Sequence, residues 1–237
     1  MISEKANQVF HLLKQTCFNS GLPTYDQKTH QGFFRHLVIR EGVNTGELLV
    51  NLSVAEHTLT PEQKTLREQL QHTFSTNPLL REQITSFVIT ANASLADTVR
   101  NEQSKSRILR GKGSIEEMLN GVRFRVSPFS FFQTNTHGAE KLFLTAFTML
   151  GDFEGNILDL YCGTGSIGLS LLSLSQKTSS PKKESGVIGI EIVEDAIRDA
   201  NINAELNGLS AFSSFYASPA EKALERFPEL AGKIKNL

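Results

Sequence analysis

The sequence contains no tryptophan, only three tyrosines and three methionines, and two cysteines in 237 residues. Cys17 and Cys162 stand far apart, which excludes a metal cluster of the usual cysteine spacing. Long apolar runs are also missing. None approaches the roughly 20 residues needed to span a bilayer, so no membrane partner is expected. The N-terminus, MISEKANQVFHLLKQ, is amphipathic and lacks the basic and apolar regions of a secretory signal. Neither sign of charge is in excess. The formal net charge is -1, so composition alone gives no argument for nucleic-acid binding. What remains is the composition of an ordinary soluble globular protein, long enough for one large domain or two modest ones. A reducing, cytoplasmic setting fits the cysteine usage.

The patterning divides the chain near residue 125. In the first part, residues 1–125, apolar positions Val9, Phe10, Leu12, Leu13 and Cys17 recur at helical spacing behind Ser3, a plausible N-cap. Gly21 and Pro23 end that helix. HLVIR at 36–40 and GELLVNLSV at 46–54 read as strands around the turn signal EGVNTG. Pro61 opens a second helix, PEQKTLREQLQHTF, and SFVITAN at 86–92 is a further strand. The polar, basic run RNEQSKSRILRGKGS at 100–114 reads as a loop, followed by RFRVSPFSFFQ at 123–133. This part is expected to be a β-rich α+β domain. From residue 126 to 237 the pattern changes. HGAEKLFLTAFTML is a helix, NILDLY a nearly all-apolar strand, GSIGLSLLSL a helix, VIGIE a second buried strand, EDAIRDANINAELNG a helix and SSFYA a third strand. Strands alternating with helices predict an α/β fold with a parallel, Rossmann-like sheet.

The turn after the first of these strands reads G-T-G-S-I-G, formally the G-x-G-x-x-G of a dinucleotide site. In that fold the loop presses backbone N–H groups against a pyrophosphate. Here Asp159 sits inside the strand end, four residues before Gly163. A carboxylate repels a pyrophosphate and favours a cation. S-adenosyl-L-methionine carries an ammonium and a sulfonium and no phosphate, so D-L-Y-C-G-T-G suits it better. Gly163 and Gly165 allow the backbone to pass close to the cofactor. Glu191, at the end of VIGIE, is placed to accept from ribose hydroxyls and marks a nucleoside of either class. The gap from Gly163 to Glu191 exceeds the usual roughly 20 residues, and the polar loop at 176–186 accounts for the excess. Two alternatives stay open: Asp159 merely caps the next helix around a tight turn, or the site holds NAD(P). Cys162, near a helix N-terminus, has a place from which a nucleophile could act. Wedged between a buried strand and the turn, it fits better as a small side chain.

With those residues in hand, three further segments become legible. SPFSFFQTNTHGAEKLF at 127–143, GFFRHLVIREGVNTGELLVNL at 32–52 and ILRGKGSIEEMLNGVRFRVSP resemble, in the same order, segments of the RNA uracil-5 methyltransferases. The resemblance covers nearly the whole chain. It implies a partial S-adenosylmethionine methyltransferase sheet, an RNA partner (tRNA or rRNA), and a cofactor site in which Gln133 meets the methionine end, Tyr161 lies beside the cofactor and Glu191 binds the ribose. YASPAE at 216–221 departs from the acid or Asn that many methyltransferases carry near the third strand's end. The family's chemistry requires a cysteine thiolate that adds to C6 of uracil and a base that removes the C5 proton. In the family both lie after the third strand. No catalytic residue is therefore assigned, and the chain is expected to be an incomplete enzyme, completed by a second chain, or else a non-catalytic remnant. One edge of NILDLY is expected to be unpaired. Arg35, His36 and Arg40, with Arg100, Lys105, Arg107, Arg110 and Lys112, form two basic clusters that could meet phosphates.

Overall fold

A computed structural model describes residues 3–55, 61–101, 103–151, 155–178, 185–232 and 234–236. The chain packs as two units. The first comprises Met1–Gly42, Gly46–Ile115 and Ser127–Phe129, and the second Val43–Thr45, Glu116–Val126 and Ser130–Leu237.

The first unit opens with helix α1 (Glu4–Asn19). Ser3 caps it as expected, its hydroxyl accepting from the Ala6 N–H at 3.1 Å. Ala6, Val9 and Leu13 form its buried stripe. Strands β1 (Phe34–Glu41) and β2 (Leu48–Val54) follow, then helices α2 (Pro61–Thr76) and α3 (Pro78–Gln83), and strands β3 (Ser86–Ala91) and β4 (Lys105–Arg110). The sheet order is β1-β2-β3-β4, with β1 and β4 antiparallel to their neighbours and β2 parallel to β3. Every residue of β2 is buried. Its one amide, Asn51, accepts from the Thr90 hydroxyl of β3 at 2.8 Å, so that oxygen is satisfied within the core. Leu48, Val50, Leu52, Leu70, Leu80 and Phe87 belong to the apolar cluster joining helices to sheet. The run at 100–114, expected to be a loop, contains the edge strand β4. Its polar side chains hide a strand because only one side of an edge strand needs to be apolar or paired.

The second unit begins with a hairpin, β5 (Ile115–Leu119) and β6 (Val122–Val126). Asn120 and Gly121, at φ 51° and 80°, make its two-residue turn, where left-handed backbone is required. Residues 116–125 were expected in the first part of the chain, but they pack in the second unit. Helix α6 (Glu194–Leu206) and its C-cap Asn207 explain this: the backbone N–H of Arg125 donates to Asn203 Oδ1 at 2.7 Å, and that of Arg123 to Asn207 Oδ1 at 2.9 Å. Glu117, only 2% exposed, accepts from the N–H groups of Val43, Asn44 and Met118 and from the Thr136 hydroxyl. A buried carboxylate is tolerated when its lone pairs are filled in this way.

Helix α4 (Thr136–Leu150) then leads into β7 (Asn156–Leu160), α5 (Ser166–Thr178), β8 (Gly186–Glu191), α6 (Glu194–Leu206), β9 (Ser213–Ala217), α7 (Ala223–Arg226) and β10 (Ile234–Asn236). All four strands are parallel, in the order β10-β7-β8-β9. β10 corrects the expectation that one edge of β7 is unpaired. Ile234 lies opposite Asn156 and Asn236 opposite Ile157, so backbone pairing covers that edge at its start. Three residues carry no readable period, which is why this strand was not foreseen. Among the described residues no helix is long and apolar enough to cross a membrane.

Candidate functional site

The strand order locates the site. From β7 the chain moves outward to β8 and β9, then returns to the other side of β7 as β10. In open parallel sheets, ligands bind outside the carboxyl ends of the strands where the order reverses in this way. Here that place is the segment after Leu160, which holds Tyr161, Cys162, Gly163, Thr164 and Gly165.

The backbone there is held in an uncommon shape. Tyr161, Gly163 and Gly165 have φ of 59°, 54° and 75°. For a tyrosine this is a costly conformation, about 1–3 kcal/mol, and persists only where the surroundings over-determine it. They do so here. The Cys162 N–H donates to the Ile190 carbonyl at 3.0 Å, and the Gly165 N–H to the Cys162 carbonyl at 2.8 Å. The Gly163 N–H donates to Glu191 Oε2 at 3.2 Å. The result exposes the Tyr161 side chain (74%) while Cys162 is buried beneath it.

The two glycines serve different ends. A Cβ at Gly163 would meet no atom within 4 Å, so this position faces open space and glycine is needed for its dihedral alone. A Cβ at Gly165 would come within 3.0 Å of the Phe215 ring on β9. The absent side chain of Gly165 thus clears room for an internal aromatic ring. That ring also closes on Gly189, where a Cβ would meet it at 2.3 Å and Cys162 Sγ at 2.8 Å.

Asp159 lies behind the turn. Its Oδ2 accepts from the N–H of Gly168, the third residue of α5, at 3.0 Å. Burial pushes its carboxyl up to about 6, opposed by that N–H. The alternative in which Asp159 bonds the helix start thus describes its contact. It also bears on the choice of ligand. In a dinucleotide fold the helix N-terminus receives the pyrophosphate. Here a carboxylate already holds an N–H of the first turn of α5, and an incoming anion would meet it.

Glu191 spans the turn from β8. One oxygen accepts from Gly163 and the other from the Val193 N–H at 3.0 Å. Each carboxylate oxygen keeps a further lone pair, so both can still accept a hydroxyl. The Cys162 thiol is pushed well above the ordinary range, first by burial and then by the charges of Asp159 and Glu191. It is held as a thiol, in keeping with its reading as a small packed side chain. Gln133 is half-buried between Phe132, whose ring packs 5.7 Å from that of Phe124, and Asn135, which caps α4. The structure brings Asp159, Tyr161, Gly163, Gly165 and Glu191 together around one turn. No hydrogen bond among the described residues ties Gln133 to it.

Sequence reasoning missed Asn203 and Phe215. Asn203 Nδ2 donates to the Thr164 carbonyl at 3.0 Å while its Oδ1 holds β6. The available signal was an asparagine, Asn203, inside a helix that it does not favour, four residues before the C-cap Asn207. Phe215 carried none, because its role depends on the absence of two Cβ atoms elsewhere in the sequence.

The basic clusters resolve differently. Arg35 donates to the carbonyls of Asn92, Ser94 and Ala96, and Arg40 to that of Ser127. Burial lowers the pKa of Arg40. His36 lies 3.3 Å from Asp97, the Arg100 guanidinium stacks on Phe129, and Arg110 donates to the Arg81 carbonyl. Lys105 and Arg107 project from the outer strand β4 and are exposed, as is Lys112 beyond it.

Residues 152–230 match a family described as a methyltransferase domain. The chain is 36% identical over 236 residues to an uncharacterized RNA methyltransferase of Caldanaerobacter subterraneus subsp. tengcongensis, covering 97% of this chain and 47% of that protein. It is 38% identical over 190 residues to an uncharacterized RNA methyltransferase of Clostridium tetani, covering 80% of this chain and 38% of that protein. The crystal structure of Pyrococcus abyssi tRNA (uracil-54, C5)-methyltransferase in complex with S-adenosyl-L-homocysteine superposes with a TM-score of 0.69 at 25% identity, over 92% of this chain and 47% of that one. The chain thus spans about half the length of the relatives it matches. By fold and sequence it is similar to RNA methyltransferases, and residues 152–230 match the methyltransferase-domain family.

Proposed function

We propose that this chain forms the cofactor-binding part of an S-adenosyl-L-methionine-dependent RNA uracil-C5 methyltransferase. The observation that carries the reading is the turn after β7 at the point where strand order reverses, with Asp159 behind it and Glu191 across it. The residues present fit the cofactor. Open space at Gly163 admits a ligand, Glu191 retains acceptor capacity for ribose hydroxyls, and the Asp159 charge favours a cationic group over a diphosphate. Tyr161 offers an exposed aromatic face beside that space, and Gln133 is assigned to the methionine end by resemblance. When bound, S-adenosyl-L-methionine supplies an electrophilic methyl group.

Uracil C5 as acceptor, and RNA (tRNA or rRNA) as substrate, are inferred from the family resemblance and from the similarity to the Pyrococcus abyssi enzyme. Neither cysteine of this chain is set up to activate uracil. Burial pushes the Cys17 thiol up to about 11, and Cys162 is raised further. An attacking thiol needs the opposite shift. The thiolate is therefore assigned to residues outside this chain, on a longer polypeptide or a second subunit. Lys105 and Arg107 on β4 are assigned to RNA phosphates.

Calorimetry with S-adenosylhomocysteine tests the cofactor site. The full chain should bind it and ignore NADH, and Glu191→Ala should weaken binding by about tenfold, the loss of one charge-assisted hydrogen bond. NADH bound in preference would sink the reading.

Asp159→Asn should separate stability from binding. The unfolded chain releases the Asp159 proton near 3.8, and the folded chain holds it to about 6. Stability therefore falls as pH rises through this window, and the loss is complete above it. The variant should melt like wild type near pH 4 and a few degrees higher at neutral pH, while binding S-adenosylhomocysteine more weakly there. Equal melting at both pH values would show that the buried charge carries no penalty.

Incubated with radiolabelled S-adenosylmethionine and unmodified RNA, the chain alone should place no label in C5 of uridine, and label there would disprove the assignment of the thiolate elsewhere. The double change Lys105→Glu with Arg107→Glu should weaken RNA binding and reduce its salt slope by about two phosphate contacts. Unaltered affinity and slope would remove β4 from the interface.

A further inference from the structure

Away from the glycine turn, the first unit contains a groove of about 280 Å³ lined by α1, β1 and the segment between them. Its chemistry is mixed in a particular way. Phe18 is 62% exposed at the end of α1, and Lys14, one helical turn earlier, holds its ammonium 5.7 Å from the Phe18 ring centroid. Tyr25 lines the groove with the Arg35 guanidinium 4.4 Å from its ring centroid. Three backbone carbonyls hold the terminal nitrogens of Arg35, yet its Nε is buried with no hydrogen-bond partner among the described residues. His36 also lines the groove, and its Nε2 lies 3.3 Å from Asp97 without the alignment of a hydrogen bond. Among the described lining residues there is no carboxylate.

Aromatic faces, cations and no acid among the described lining residues define the occupant. A purely apolar peptide would gain nothing from Lys14, and a simple anion nothing from the Phe18 ring. An aromatic anion uses both. We propose that this groove receives one unpaired nucleotide of an RNA, the base stacked on Phe18 and a phosphate at Lys14. Stacking on an exposed ring beside a cation is how single strands are held without sequence readout. The groove gives the first unit a grip on RNA independent of the cofactor turn, and it rests on the reading of RNA as the substrate.

The test uses the full chain and a short single-stranded RNA carrying 2-aminopurine. Wild type should bind it and quench its fluorescence. Phe18→Ala should lose about tenfold in affinity together with the quenching, and Phe18→Tyr should retain both. Lys14→Gln should flatten the salt slope by about one contact. Phe18 is exposed, so an unchanged melting temperature confirms that the variants are folded. If Phe18→Ala binds and quenches like wild type, the groove is not the site and the RNA reading stands. If wild type binds no RNA, both fall together.

Discussion

Five residues from Tyr161 to Gly165 turn the chain from a buried strand into a helix, and three of them do so at positive φ. Such a path is unfavourable by itself. It is maintained because each N–H it presents inward has a fixed acceptor: Ile190 for Cys162, Glu191 for Gly163 and the carbonyl of Cys162 for Gly165. Two of those acceptors belong to β8, so the turn exists only because β8 is paired along the whole of β7. The shape of the turn is therefore a property of the sheet. The loop sequence permits the shape, and the neighbouring strand enforces it.

The charges follow the same logic. A parallel sheet aims its strand ends and the starts of the next helices at one place, where partial positive charge collects. Asp159 answers that field from within, bonded to an N–H in the first turn of α5. Glu191 answers it from the side, bonded to the turn and to the N–H of Val193 before α6. With two carboxylates in place, the field that would draw a diphosphate is already balanced. The site is left suited to a ligand with hydroxyls and a positive charge. Burial first, and then the same two carboxylates, keep the Cys162 thiol protonated, so a residue that looks reactive from its place in the chain is held as a thiol in the fold.

The first unit shows a different division of labour among like residues. Arg35 and Arg40 direct their guanidinium groups at backbone carbonyls and hold segments distant in sequence. Lys105 and Arg107 stand on an outer strand facing solvent, and Lys14 sits at an exposed ring. A basic residue's number of nearby carbonyls, set by topology, decides whether it is structural or available. Nothing in the local sequence of FRHLVIRE distinguishes it from KSRILR in that respect.

Much of the architecture was legible in the sequence. Ser3 announces α1, the alternation of apolar strands and amphipathic helices announces the parallel sheet, and D-L-Y-C-G-T-G marks the turn. These are local facts, set by dihedral preference and by the period at which apolar side chains recur. The tertiary structure alone decided that Gly165 makes way for Phe215, that Asn203 joins the turn to β6, that β10 covers the start of β7, and that Arg35 and Arg40 are bound by carbonyls while Lys105 and Arg107 are exposed. Each of those outcomes depends on which atoms meet across tens of residues, and a repeating pattern along one chain carries no record of that distance.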